Sequence, residues 1–96
     1  MQCYVYILAS ATNAVIYVGV TNDLIRRVHE HKGHINPDSF TARYRVDRLV
    51  FYEGHGSIEA AISREKQIKS WNRRRKDALV STLNPGWVDL YDSILY

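Results

Sequence analysis

Cysteine occurs once in the 96 residues, proline twice and methionine once. A lone cysteine, Cys3, excludes an internal disulfide framework and a cysteine-cluster zinc site. No base neighbours it in sequence, so a cysteine nucleophile is not expected. No apolar run approaches the ~18 residues that mark a transmembrane helix, so no membrane partner is expected. No basic segment precedes an apolar one near Met1, so no signal peptide is expected and the cytoplasm is the default compartment. G-x-S-x-G, a phosphate-binding loop and H-E-x-x-H are missing, as are repeats and low-complexity stretches. A chain this short builds one core. Residues 1–83 read as the main unit and 84–96 as an extension packing on it.

Positive charge is clustered rather than abundant. The net charge is only +3. Arg64, Lys66, Lys69, Arg73, Arg74, Arg75 and Lys76 face one acid, Glu65, while no Lys or Arg follows Asp77. Such a run is either a polyanion face or a solvated helix surface.

The hydrophobic pattern predicts an α+β fold, a three-stranded antiparallel sheet flanked by helices. Residues 2–9 alternate as a strand with both faces partly apolar. A turn at 11–14 follows, with Asn13 suited to a left-handed conformation, and 15–20 returns as the second strand. Gly19 interrupts that strand, as glycine does at a bulge or a close backbone approach. A capped helix over 23–31 stops at Gly33. Residues 40–45 form a short helix or an irregular turn, and 48–53 a third strand broken by Gly54-His55-Gly56. Ser57 caps a helix reaching about Asn72. Another runs from Arg73 or Arg74 to Leu83, and Trp87 to Tyr91 folds back as an irregular apolar cover.

Two tyrosines, Tyr6 and Tyr17, stand on the two arms of the hairpin, and Arg27 and His31 share one face of the next helix. Together they make either a polar site or ordinary strand aromatics beside a solvated helix. Glu65 falls on the stripe Ile58, Ile62, Ile68 or Lys69, Asn72. A carboxylate there is paired, hydrated or metal-bound, because burying it bare is costly. Periodicity alone favours the plainer reading, a solvent-facing Glu65 paired with Lys69. His29 and His31 point about 200° apart on a helix, and His31 with His34 lacks a third ligand, so no zinc site is expected.

These residues in this order resemble the GIY-YIG nuclease family, and the ending Leu83-Asn84-Pro85-Gly86-Trp87 with Asp89-Leu90-Tyr91 resembles that of its small free-standing bacterial members. Tyr4-Val5-Tyr6 and Tyr17-Val18-Gly19 stand where the two halves of the family motif stand. Arg27 follows the second tyrosine by the family's ten residues, His31 follows by a further turn, and Glu65 matches the family's metal-binding glutamate. The resemblance runs from Gln2 to about Asn72. It implies hydrolysis of a DNA phosphodiester with one divalent metal, Mg²⁺ or Mn²⁺, held by Glu65, and no small-molecule cofactor. It assigns Tyr6, Tyr17, Arg27, His31 and Glu65 to catalysis. Gly19, Lys69, Asn72, Arg73 and Arg74 would meet the substrate, with Asn84 the other candidate for the family asparagine. No recognition helix or zinc finger is read in the sequence, so low sequence specificity is expected, and the likeness to repair relatives implies structure-specific cleavage in repair or recombination. The alternative is a nucleic-acid-binding module that keeps the fold without efficient catalysis. Two departures bear on this: Tyr4 replaces the first motif glycine, and Val20 stands where repair members carry lysine.

Overall fold

The structure is a computed structural model and describes residues 2–95; Met1 and Tyr96, the outer ends of the expected 1–83 unit and 84–96 extension, lie outside the described residues. Among the described residues, three strands and five helices follow in the order β1 (Cys3–Ala9), β2 (Ile16–Thr21), α1 (Leu24–Lys32), α2 (Phe40–Arg43), β3 (Arg48–His55), α3 (Ile58–Ser70), α4 (Arg73–Leu83) and α5 (Tyr91–Ile94). The sheet is antiparallel, in the order β2-β1-β3. No helix among the described residues is long and apolar enough to cross a membrane.

Strand β1 is central because it is apolar on both faces. Cys3, Val5, Ile7 and Ala9 join Val18, Val50 and Phe51 in a layer covered by α3 and α4 through Ala61, Ile68 and Val80. Tyr6 and Leu8 join Leu24, Val28, Val46 and Leu49 in the layer on the α1 side. Burying a large apolar side chain in such a layer stabilises by about 1.5–3 kcal/mol.

The β1–β2 turn has Asn13 at φ 64°, the left-handed value its side chain tolerates. Two arginines from distant elements hold it. Arg48 Nη1 donates to Ser10 O at 2.8 Å and Asn13 Oδ1 at 2.7 Å. Arg73 donates to Ala14 O at 3.0 Å and to Asn13 O. The turn therefore cannot slide without losing charge-assisted bonds from both β3 and α4.

Strand β3 runs past the expected break at Gly54, because Tyr4 pairs with Gly54 and Cys3 with His55. Neither Gly54 nor Gly56 takes a positive φ. A bulge lies earlier: Ile7 pairs with Phe51 but Leu8 with Leu49, leaving Val50 as the extra residue. This puts Val50 and Phe51 in the same layer. Asn84 supplies a partner for the bulged carbonyl. It is buried at the end of α4, and its Nδ2 donates to Val50 O at 3.1 Å and Val88 O at 2.8 Å.

Helix α1 stops at Gly33 as expected, but Gly33 keeps a helical φ of −81° and His34 takes the left-handed φ of 49°. Helix α3 ends at Ser70, two residues before the expected end, because Trp71 is extended at ψ 154°. Its inward stripe is Ala61, Glu65, Ile68: Glu65 and Ile68 turn inward as expected, while Ile58 and Ile62 are exposed and Ala61 is buried instead. The small Ala61 lets the helix sit close to the sheet. The C-terminal segment is more regular than an irregular cover. Leu90 N donates to Leu49 O at 2.7 Å, Asp89 Oδ1 accepts from Leu49 N at 3.2 Å, and Tyr91 opens α5.

Removing the Asn84 amide leaves Val50 O and two groups of Val88 without their buried partner. Asn84→Ala is expected to cost about 1–3 kcal/mol, read as a lower denaturant midpoint at unchanged slope. A loss within about 0.5 kcal/mol, typical of surface changes, would show that the bulge does not depend on this side chain.

Candidate active site

Tyr6 lies at the middle of β1, paired with Gly19 of β2. Its ring occupies the space over that glycine. A Cβ on Gly19 would sit 2.5 Å from both Cζ and Oη of Tyr6. Gly19 thus serves a close approach, but what it admits is the phenol of Tyr6. Tyr6 is 1% exposed.

Helix α1 is capped by Asp23, whose carboxylate accepts from Arg26 N at 3.2 Å. Leu24 and Val28 bury one face of the helix. That orientation brings Arg27 and His31, one turn apart, to the Tyr6 hydroxyl. Arg27 Nε donates to it at 3.4 Å, and His31 Nε2 lies 3.2 Å away. The Tyr17 ring is 5.8 Å from the His31 ring and 6.3 Å from that of Tyr6, centroid to centroid. Arg27 also pairs with Glu30 at 3.3 Å.

Glu65 arrives from the other layer of the fold. Its side chain is 15% exposed and pairs with Lys69 Nζ at 3.4 Å. The same ammonium lies 5.9 Å from the centre of the Tyr17 ring. Glu65 is thus turned inward rather than toward solvent, and it keeps the pair with Lys69 that the plainer reading expected.

The remaining expected site residues are elsewhere. Asn72 caps α4, its Oδ1 accepting from Arg75 N at 2.9 Å, because α3 has already ended. Asn84 is committed to the bulge. Arg73 is bound to the hairpin turn and to Asp77 at 2.6 Å. Arg74 is exposed on the first turn of α4. Arg64 pairs with Glu53 at 2.7 Å, and Arg75 stacks on Trp71 at 4.1 Å. Much of the basic run is thus engaged inside the molecule, so it is a weaker polyanion face than the bare charges imply.

The short helix or turn expected at residues 40–45 is α2, and its residues, which carry no expected role in the site, reach it. Phe40 lies 6.4 Å from Tyr17, and Tyr44 lies 4.9 Å from Phe40, each 49% exposed. Tyr17, Phe40 and Tyr44 form an aromatic ladder leading outward from His31. Thr41, between them in sequence, contacts His31 Nδ1 through its hydroxyl at 2.9 Å. The signal was the i, i+4 aromatic pair behind a Ser39 cap.

Burial raises the pKa of Tyr6 above its ordinary value of 10.0 and outweighs the hydrogen bond from Arg27, which pulls it down. The charges of Tyr17 and Glu65 push the same way as burial. The phenol is therefore protonated at neutral pH. His31 is shifted down from 6.5 by burial first and by the Arg27 charge second, against a smaller pull from Glu30. It is neutral at pH 7, with a lone pair available on one nitrogen. Among the described residues no three His, Cys, Asp or Glu side chains converge. A lone carboxylate suits a hard ion that keeps most of its water, such as Mg²⁺, and does not suit zinc.

Gly19→Ala should destabilise the chain by about 1–3 kcal/mol, the cost of overpacking a filled core; unchanged stability would show that the notch is not needed. The His31 imidazole should titrate below 6.5 when followed by NMR. Arg27→Gln removes a neighbouring positive charge and should move that midpoint upward; a downward move would contradict the assigned cause. The unfolded chain protonates His31 first as pH falls. Its neutral burial therefore contributes fully above 6.5, and that contribution declines as acid is added below this value.

The chain matches the GIY-YIG catalytic domain over residues 2–78. A UPF0213 protein of Haloquadratum walsbyi is 38% identical, covering 79% of this chain and 83% of its own length. A UPF0213 protein of Bacillus pumilus is 30% identical, covering 83% and 80%. The solution NMR structure of a UPF0213 protein from Bacillus halodurans superposes with a TM-score of 0.58 at 32% identity, covering 91% of this chain and 90% of that one. The matched span holds both tyrosines, Gly19, Arg27, His31 and Glu65, and the α+β sheet is shared with the solved relative. The chain belongs to the GIY-YIG nuclease family.

Proposed function

We propose that this chain is a cytoplasmic, divalent-metal-dependent DNA endonuclease that hydrolyses phosphodiester bonds with little sequence specificity of its own. The observation that carries this reading is the Tyr6 hydroxyl, in contact with both Arg27 and His31. Glu65, which bears electrostatically on Tyr6, completes the set.

Glu65 is the residue that would hold the ion, Mg²⁺ or Mn²⁺, with Lys69 turning away to the substrate. When bound, the ion supplies charge stabilisation at the phosphate and the leaving oxygen. Tyr6 passes the proton of the attacking water to His31 Nε2 as the new P–O bond forms and the old one breaks. A neutral phenol can do this because it gives up its own proton as it accepts another. The guanidinium of Arg27 stabilises the charge that builds on the phosphate oxygens. Tyr17 packs beside His31 and orients the water.

Phe40 and Tyr44 offer stacking surface for bases displaced from a duplex. That favours branched, flapped or nicked DNA as substrate, and a role in repair or recombination. No recognition helix is expected to enter a groove, so sequence would be read weakly. The burial of Tyr6 favours the alternative, a nucleic-acid-binding module with slow catalysis, since a buried phenol with a raised pKa is a poor base.

Plasmid and branched-DNA substrates decide between these. Cleavage is expected with Mg²⁺ or Mn²⁺, abolished by chelation and lowered about 10²- to 10³-fold in Glu65→Gln, the range for losing one charge-stabilising group. Salt-sensitive binding without cleavage under either metal would favour the binding module. Equal cleavage by wild type and Glu65→Gln would remove Glu65 from the site.

A further inference from the structure

We propose that Thr41 is a positioning residue that fixes the tautomer of His31, holding its Nε2 unprotonated toward Tyr6; this rests on the nuclease reading only for its effect on cleavage. Thr41 is 5% exposed. Its Oγ1 lies 2.9 Å from His31 Nδ1 and 3.3 Å from Ser39 Oγ. The backbone holds it in place. Thr41 O accepts from Val46 N at 2.8 Å, and Val46 is fully buried against the α1-side core. Ser39 caps α2 by accepting from Ala42 N at 3.2 Å. The hydroxyl is thus presented from a short helix pinned at both ends.

The direction of the chain follows from what each group can do. Arg27 only donates, so its bond to Tyr6 takes a lone pair of the phenol oxygen. The single Tyr6 proton then needs an acceptor, and His31 Nε2 is 3.2 Å away. In a neutral imidazole the other nitrogen, Nδ1, must carry the hydrogen. Thr41 Oγ1 accepts the hydrogen bond from Nδ1–H, and its own O–H donates to Ser39 Oγ. In the reverse arrangement Arg27 and His31 both donate to the Tyr6 oxygen. The Tyr6 proton would then be left without an acceptor on a side chain almost closed to solvent. Histidines that act through one nitrogen are commonly set by the partner of the other. Here that partner comes from α2, none of whose residues the resemblance assigns a role.

The tautomer can be read directly by long-range ¹H–¹⁵N correlation on protein labelled at histidine, above the His31 titration. Wild type should show Nδ1 protonated and Nε2 bare. Thr41→Val keeps the shape and removes the oxygen; it should give a mixed or Nε2-protonated imidazole. Thr41→Ser should restore the wild-type pattern. If the valine variant does not fold, Thr41→Ala serves in its place. Cleavage kcat should fall about 10- to 100-fold in the valine variant, the usual effect of losing a histidine's outer partner. KM should change little, and serine should rescue the rate. A wild-type His31 protonated on Nε2, or a valine variant with wild-type tautomer and rate, would overturn the proposal. The spectrum needs no DNA. A chain that never cuts but shows the tautomer change keeps the role of Thr41 and loses the nuclease reading.

Discussion

The contact between the Tyr6 phenol and the bare backbone of Gly19 is the constraint on which the rest of the site depends. Only glycine leaves room for the ring there. With the ring in that notch, its hydroxyl sits where Arg27 and His31 can reach it from α1. The contact exists in one strand register alone. A slip of one residue between β1 and β2 would move Tyr6 away from Gly19 and turn one strand's side chains to the other face of the sheet. The turn that sets this register is tied down by Arg48 and Arg73. Two cations far from the proposed chemistry therefore decide whether the phenol meets the guanidinium.

That role for Arg73 changes how the charge of the molecule is to be understood. A basic run on a helix invites a reading as a DNA-facing stripe. Arg64 is instead bound to Glu53, Arg73 to the hairpin and Asp77, and Arg75 to the Trp71 ring. These pairs are partly exposed, and exposed ion pairs are worth little individually. Arg64 ties α3 to β3 and Arg73 ties α4 to the β1–β2 turn, while the other two contacts stay at the α3–α4 junction and within α4. The charge bearing on the site is more local: Arg27 and Lys69 set against Glu30 and Glu65.

Burial and chemistry pull against each other at Tyr6. The same packing that aims the phenol also raises its pKa, and the same packing lowers that of His31. The two shifts are complementary: the phenol keeps its proton and the imidazole keeps a lone pair. A hydrogen-bonded chain from Arg27 through Tyr6 and His31 to Thr41 then has a donor and an acceptor at every joint. Low local polarity strengthens such a chain when every member is satisfied.

Local sequence determined the strands, the capped helices and the left-handed turn at Asn13, because propensity, capping and period act over a few residues. The resemblance carried by Tyr6, Tyr17, Gly19, Arg27, His31 and Glu65 likewise stood in the linear order, and with it the family. The inward turn of Glu65 and Ile68 was legible in the period of α3, but only the tertiary structure decided where that helix stops and that Ala61, rather than Ile58 or Ile62, fits against the sheet. It decided that Asn72 caps a helix, that Asn84 serves a bulge, and that β3 runs through Gly54, because each depends on a partner far along the chain. It also brought Thr41, Phe40 and Tyr44 to His31 and Tyr17. Those contacts join a short helix to a sheet across a loop, and no periodicity within either segment encodes the distance between them.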